Sequence, residues 1–252
     1  MEAKRPDWYK YGWTLDIKNQ SWVEDTYNQV EFIIKTLGLS GQERVLDLAC
    51  GYGRHALAFA EKGFSVVGVD ITKEYIDDAT RSARAGALPA EFIHADIRDV
   101  AFENEFDVVL NLADGAIGYL ETDEENLKIF NVISHALKSG GKHFMDVCNA
   151  EHAQTYFPKT NWEIGEKSIA LAQFDWDAET RRMLYGGCDI PYGLPAQKPE
   201  IPAGDPTRLY SIGELSQIFE QRKMSMVKAF SDYDGKEASF KNLQLLVYSV
   251  KL

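Results

Sequence analysis

Three short segments hold the residue types and spacing that a chemical site needs. The first is Asp47-Leu48-Ala49-Cys50-Gly51-Tyr52-Gly53-Arg54-His55-Ala56, where an apolar run meets two glycines and then a helical pattern. Glycine permits positive φ and lets backbone approach a ligand closely, and a helix N-terminus offers free amides. The second is Val66-Val67-Gly68-Val69-Asp70-Ile71, an apolar run that closes on a carboxylate able to accept from both hydroxyls of a ribose. The third, Phe92-Ile93-His94-Ala95-Asp96-Ile97, ends in a carboxylate that can accept from an adenine amino group, beside an isoleucine that can pack on the ring. A glycine turn, an acid and an acid at three successive strand ends point to an adenosine-bearing cofactor. A dinucleotide is one candidate, because Gly51-x-Gly53-x-x-Ala56 loosely satisfies its glycine pattern. That ligand leaves Asp47 and Asp96 unexplained, and residues 1–43 precede a strand that usually opens such a domain.

Proton-handling groups are fewer. Asp114 and Tyr119 follow the fourth predicted strand, and His152 and Tyr156 follow the fifth, so all four are candidates for a substrate pocket. His55, His94, His135 and His143 read as packing or spacer residues, and no residue is assigned as catalytic. Trp8, Tyr9, Tyr11, Trp13 and Trp22 crowd the N-terminal leader, where rings can pack on a sheet or fold over a ligand and exclude water. Cys50, Cys148 and Cys188 are odd in number and widely spaced, which fits a reducing cytoplasm and supplies no zinc site or other metal cluster.

The elements around these residues alternate. Apolar, β-branched runs lie at Arg44–Leu48, 65–69, 91–94, 106–112 and 142–147, separated by helical patterns at 54–62, Lys73–Ala85 and 123–138. Capping signatures Ser21-x-x-Glu24, Thr122-x-x-Glu125 and Ser211-x-x-Glu214 predict helix starts, the first of these helices running to about Leu37. Strands alternating with helices imply a parallel sheet with right-handed crossovers. Past residue 150 the pattern changes: 163–176 and 182–190 alternate like antiparallel strands, and five of the eight prolines crowd between Pro191 and Pro206, as in a loop. The tail, 224–230 and 243–250 around a turn at 232–235, reads as a hairpin on the sheet edge. The expected fold is therefore α/β: a Rossmann-like, seven-stranded, mostly parallel sheet with helices on both faces and an antiparallel final hairpin. An antiparallel β insertion is expected as well. Residues 1–150 form an N-terminal lid helix and a cofactor-binding core, 151–207 a β insertion capping the substrate site, and 208–252 the completion of the core sheet.

Composition narrows the partners. The 252 residues carry 27 Lys and Arg against 39 Asp and Glu, a net charge of −12 that supplies no basic stripe for a phosphate backbone. No apolar run is long enough to span a bilayer, and Met1-Glu2-Ala3-Lys4-Arg5 leads into no apolar stretch of a signal peptide, so a cytoplasmic protein is expected.

With these motifs in place, nearly the whole chain resembles the class I S-adenosylmethionine-dependent methyltransferases. Asp47 to His55 looks like their first motif, Val69-Asp70 their ribose-binding acid and Ala95-Asp96-Ile97 their adenine segment. Phe106-Asp107-Val-Val-Leu-Asn111-Leu112 looks like their fourth strand. Leu137-Lys138-Ser139-Gly140-Gly141 resembles the turn before the fifth strand, with serine in place of proline. Gly118-Tyr119-Leu120, Arg208-Leu-Tyr-Ser-x-x-Glu214 and Asp232-Tyr-Asp234-Gly235 are similar to a small-molecule subgroup, methyltransferase type 11/25-like, that includes sugar N-methyltransferases. The resemblance implies S-adenosyl-L-methionine as cofactor. The Gly51–Gly53 backbone would lie against its methionine part, and Asp47 would order the loop or contact the amino group. Asp70 would take the ribose hydroxyls and Asp96 with Ile97 the adenine, with Ala49 and Ile71 also among the cofactor-binding residues. Asn111 and Leu112 would contact the amino-acid part, and Tyr11 and Trp13 would lie in the covering segment. It implies transfer of a methyl group to O or N of a small molecule by in-line displacement, with neither nucleic acid nor membrane as partner and a homodimer left open. A protein that binds the cofactor without catalysis, or an NAD(P)-dependent oxidoreductase, are the alternatives.

Overall fold

The computed structural model describes residues 1–20, 23–165, 168–195 and 197–252. The first half alternates as expected: α1 (Thr26–Leu37), β1 (Arg44–Leu48), α2 (Arg54–Glu61), β2 (Ser65–Asp70), α3 (Lys73–Ala85), β3 (Ala90–His94), β4 (Phe106–Asn111), α4 (Asp123–Ala136) and β5 (Leu137–Cys148). Then follow α5 (Ala150–Tyr156), β6 (Lys159–Ile164), β7 (Ser168–Asp177), β8 (Arg182–Pro191), β9 (Asp205–Arg208), α6 (Ile212–Glu220), β10 (Met224–Phe230) and β11 (Gln244–Lys251).

Seven strands form one sheet in the order β10-β11-β5-β4-β1-β2-β3. β5, β4, β1, β2 and β3 run parallel, while β11 is antiparallel to β5 and β10 to β11. The side-chain alternation of each strand feeds two cores. Val45, Val66, Val108, Leu110 and Phe144 pack with Val30 and Ile33 of α1 and Phe59 of α2. Leu46, Val67, Val109 and Met145 pack on the opposite face with Ile129 and Ile133 of α4 and Leu215 and Phe219 of α6. The sheet is thus covered by helices on both faces, as the continuous apolar runs require. The strand order reverses between β4 and β1, and a crevice at the carboxyl ends of the strands is where open α/β sheets take ligands.

A second sheet, β6-β7-β8-β9, is antiparallel throughout. It differs from expectation in one respect: the single strand predicted over 163–176 is two, because the chain reverses near Gly165, whose amide donates to the Ser168 carbonyl. Two capping signatures behave differently. Ser211 and Glu214 form a complete box, whereas Thr122 accepts from the Glu125 amide but Glu125 turns to Arg98 and Lys128. The predicted cap Ser21 lies outside the described residues, as does Trp22, and α1 starts at Thr26. β5 starts at Leu137, directly after α4, rather than at 142: Phe106 pairs with Leu137 and the register then shifts, so that Val108 faces Lys142. In the leader, where a lid helix was expected, the helical turns are two short 3-10 segments, Trp8–Lys10 and Leu15–Asn19.

Candidate active site

The carboxyl ends of β1, β2, β4 and β5 open into a cavity of about 710 Å³. One end is built by contiguous strand–loop segments. β1 runs into Ala49 and Gly51, both at φ +57°, and the Gly51 amide donates to Asp70 Oδ2 at 2.9 Å. The other Asp70 oxygen accepts from the Thr72 amide at 2.8 Å. The carboxylate that ends β2 therefore fixes the glycine turn that ends β1, and it retains lone pairs facing the cavity. Burial raises the Asp70 pKa, while the two amides oppose that rise. Gly53, at φ +80°, is glycine for packing: a Cβ there would lie 2.8 Å from the Phe92 ring.

Asp47, one residue from the end of β1, is buried and does not line the cavity. Its carboxylate accepts from the Ala56 amide in the first turn of α2, but Oδ2 has no partner. Burial lifts its pKa to about 7; Arg54 opposes the shift and Asp70 adds to it. Asp96 lines the cavity and is gripped by Arg98, whose Nη2 donates to Oδ2 at 2.6 Å and whose Nε donates to Oδ1 at 3.0 Å. Burial opposes ionisation of Asp96, yet the guanidinium holds its pKa below the ordinary carboxylate value. Arg98 also reaches Glu125 at the start of α4, and Tyr9 of the leader donates to Glu121 at 3.0 Å.

The other end is assembled from distant parts of the chain. After β4 the backbone takes four consecutive left-handed residues, Ala113, Asp114, Gly115 and Ala116, at φ +51° to +67°. Three of these are not glycine, a conformation that costs about 1–2 kcal/mol per residue. Asn111 pays for part of it: its Nδ2 donates to Gly115 O at 3.0 Å, and its Oδ1 meets His143 Nε2 at 3.3 Å. The turn carries Asp114 to Tyr119, whose hydroxyl donates to Asp114 Oδ2 at 3.1 Å. The Asp114 amide donates to the carbonyl of Asp146 at 2.8 Å, setting two acidic residues side by side. Asp146 accepts from Tyr233 at 2.9 Å and from Gln244 at 3.1 and 3.2 Å. Burial and the charge of Asp114 push the Asp146 pKa to about 7, and burial also raises that of Asp114. Above them Phe174, Met183 and Tyr185 of the second sheet, with Asp205 and Thr207 of β9, complete the lining. The leader closes one side: Trp8 lies 4.9 Å from the Tyr119 ring, Trp13 stacks on the same ring, and Trp8 Nε1 donates to Pro206 O at 3.3 Å.

This geometry agrees with comparisons to known proteins. A methyltransferase domain family, Methyltransf_25, matches residues 45–141, the segment from β1 into β5. Residues 45–141 are therefore similar to a methyltransferase domain. Among curated relatives, the Bacillus subtilis protein YqeM is 30% identical over 128 residues, half of this chain and 51% of that one. The glycine/sarcosine N-methyltransferase of Aphanothece halophytica is 31% identical over 131 residues, 51% of this chain and 49% of that one. A 23S rRNA (uracil(1939)-C(5))-methyltransferase of Pectobacterium atrosepticum is 30% identical over 104 residues, 39% of this chain and 23% of that one. The chain thus spans about half the length, or less, of these relatives. Solved structures share the fold beyond the methyltransferase domain. An S-adenosylmethionine-dependent methyltransferase of Clostridium acetobutylicum covers 93% of this chain and 96% of its own at TM-score 0.75 and 16% identity. The sugar N-methyltransferase KedS8 of Streptoalloteichus covers 95% and 93% at TM-score 0.65 and 16% identity. The 1,6-didemethyltoxoflavin-N1-methyltransferase of Burkholderia thailandensis, solved with S-adenosylhomocysteine, covers 100% and 92% at TM-score 0.62 and 14% identity.

Of the residues singled out in the sequence, Ala49, Gly51, Asp70, Ile71, Asp96, Ile97, Leu112, Trp13, Asp114 and Tyr119 meet around the cavity. The others do not. Tyr11 is 69% exposed under the Arg5 guanidinium. Asn111 and Gly53 lie beneath the lining, Asn111 bonded to Gly115 and His143 and Gly53 packed on Phe92. His152 turns its Nδ1 to Phe240 O at 3.1 Å and stacks with Tyr156, away from the cavity. Trp8, Arg54, Asp146, Phe174, Tyr185, Asp205 and Gln244 line it without having been named as pocket residues. Gln244 and Tyr233 flank the final hairpin, and only the Asp232-Tyr-Asp234-Gly235 signature hinted that this region returns to the site.

Proposed function

We propose that this chain is an S-adenosylmethionine-dependent methyltransferase that transfers a methyl group to O or N of a small molecule. The observation that carries the reading is the convergence on one cavity of the β1 glycine turn, Asp70 and Asp96-Ile97 with the Asp114–Asp146 end. S-adenosylmethionine, when bound, supplies a methyl group on a positively charged sulfur, a good leaving group that asks mainly for alignment. The residues fit it. The Asp70 lone pairs are set for the ribose hydroxyls, and Ile71 and Ile97 bracket an apolar slot. Asp96 keeps one lone pair beyond its three bonds to Arg98, which include the Arg98 amide at 2.9 Å. Trp8, Trp13 and Tyr119 shield the reaction from water, and Asp114 or Asp146 stands within the cavity to accept the proton that a neutral nucleophile must lose.

Residues 151–207 serve in this reading as the cap that shapes the acceptor site, since β7, β8 and β9 supply its roof. A small acceptor is favoured over RNA, even though some relatives methylate rRNA, because the lining carries five carboxylates and Arg54 as its lone Arg or Lys among the described residues. A cytoplasmic setting belongs to the same reading: the three cysteines are free, and no described helix is long and apolar enough to cross a membrane. Calorimetric titration with S-adenosylmethionine tests it. Saturable binding that weakens in Asp70→Ala is expected; no heat on well-folded protein refutes it, and release of S-adenosylhomocysteine with any acceptor separates an enzyme from a mere binder.

A further inference from the structure

The two ends of the cavity differ in how their charges are balanced. Asp70 rests on the Gly51 and Thr72 amides, Asp96 is paired with Arg98 and Asp205 with Lys4 at 2.7 Å. Asp114 and Asp146 have only neutral donors: the hydroxyls of Tyr119 and Tyr233, the Gln244 amide and the thiol and amide of Cys148. Among the described residues neither forms an ion pair, although the field of Arg54 reaches Asp146. Two neighbouring carboxylates without a cation, Asp146 buried and Asp114 half-buried, are costly in their charged form unless they hold a proton or something positive joins them.

Aromatic rings share the cavity with this pair, Tyr119 among them in direct contact with Asp114. Trp8, Trp13 and Tyr119 form a ring cluster with centroids 4.9 to 6.2 Å apart, and Phe174 lies 5.1 Å from Tyr185 on the roof. All five rings line the cavity. Aromatic faces attract ammonium groups and tolerate the methyl groups added to them. Among the described lining residues there is no lysine, and Arg54 is the one arginine.

We propose that the acceptor is an amine, held by its nitrogen between Asp114 and Asp146 against the rings of Trp8, Tyr119 and Phe174, with no phosphate or carboxylate group inside the cavity. This rests on the methyltransferase reading and narrows its acceptor from O or N to N. The step balances as a displacement. The nitrogen lone pair forms the N–C bond, the C–S bond breaks with its electron pair passing to sulfur, and the proton released from nitrogen goes to the Asp114–Asp146 pair and on to solvent. Burial of a positive nitrogen beside two carboxylates also selects, since an alcohol of the same shape gains no ion pair and a carboxylate meets two like charges.

The test uses the full chain saturated with S-adenosylhomocysteine and three probes of one skeleton: benzylamine, benzyl alcohol and benzoate. Calorimetry is expected to show benzylamine binding about tenfold or more tightly than benzyl alcohol, with no binding of benzoate. Asp114→Asn and Asp146→Asn are each expected to weaken benzylamine about tenfold while S-adenosylhomocysteine affinity stays within about twofold. Retained nucleoside affinity shows that each variant is folded. Where one does not fold, Phe174→Ala, which changes the roof and neither carboxylate, is expected to weaken benzylamine several-fold. Binding of benzyl alcohol or benzoate as tight as that of benzylamine, or unchanged benzylamine affinity in the folded variants, overturns the amine assignment. It leaves the methyltransferase reading standing. Failure of S-adenosylhomocysteine to bind the wild type overturns that reading, and the amine assignment with it.

Discussion

Replacement of Asp146 by asparagine is expected to abolish the pH dependence that this residue imposes on folding. In the folded protein burial first, then the charge of Asp114, carries its pKa from the ordinary 3.8 to about 7. Below 3.8 both folded and unfolded chains hold the proton, and the group costs nothing. Between 3.8 and about 7 only the folded chain keeps it, so stability falls as pH rises, by about 1.4 kcal/mol per pH unit. Above about 7 the loss is complete, on the order of 4 kcal/mol for a shift of roughly 3 units. Asparagine removes the titration while keeping an acceptor for Tyr233, and the Gln244 amide can flip to meet its new donor. Urea unfolding of both proteins without ligand, at intervals from about pH 4 to about pH 8, measures the difference. Acids not coupled to Asp146, such as Asp47 with its own pKa of about 7, titrate in both proteins and cancel in the subtraction, while Asp114, coupled to Asp146, adds a smaller part of the difference. The stability of Asp146→Asn relative to wild type is expected to climb by about 3–4 kcal/mol across that range, most of it before pH 7. A difference that stays flat with pH refutes the reasoning, because the carboxylate would then be ionised at no cost in the fold.

Gly118→Ala is expected to cost about 3 kcal/mol or more in urea unfolding, since its Cβ would lie 2.0 Å from the Arg208 carbonyl oxygen at φ +88°. Gly140→Ala, also at positive φ but with nothing within 4 Å, should cost only about 1 kcal/mol; equal costs would contradict the role of the close approach. Asp70→Ala strips the acceptor from the Gly51 and Thr72 amides, and calorimetry should show S-adenosylhomocysteine binding weakened by about tenfold or more, with Asp70→Asn between the two. Arg98→Met frees Asp96 from its bidentate partner and separates it from Glu125; nucleoside affinity should fall and the Asp96 pKa should rise, read by NMR titration of the carboxyl carbon.

The parts of the molecule that could be read from sequence share a cause. The parallel sheet showed itself because strands buried on both faces are predominantly apolar and β-branched, as Arg44–Leu48 and Phe106–Asn111 are around Asp47 and Asp107. The nucleoside end showed itself because strand and ligand-facing residue are neighbours in the chain: Asp70 and Asp96 stand where β2 and β3 stop, and Gly51 in the turn that follows β1. Register could not be read so well. The one signal for the hairpin at Gly165 is compositional: Gly165-Glu-Lys-Ser168 interrupts the alternation of 163–176 with four non-apolar residues.

The acceptor end hides for the opposite reason. Asp146 lies inside β5, where its neighbours Met145 and Val147 are buried core, and only the end of β4 and the final hairpin turn its carboxylate into a site. Phe174 and Tyr185 come from strands that face the cavity only because β7 and β8 fold back over the first sheet. His152 shows the converse: a chemically capable residue, close in sequence to Asp146, whose ring turns instead to Phe240. A backbone-built nucleotide site leaves local marks, glycines and acids at strand ends, because the chain must take special φ values or stop at a charge. A pocket built from side chains on separate strands needs only that each side chain have the right size and sign once the strands are in place. The same scaffold can therefore keep its cofactor end while its acceptor end changes one side chain at a time, and substitutions at Asp114, Asp146 and Phe174 are where a change of acceptor should be sought.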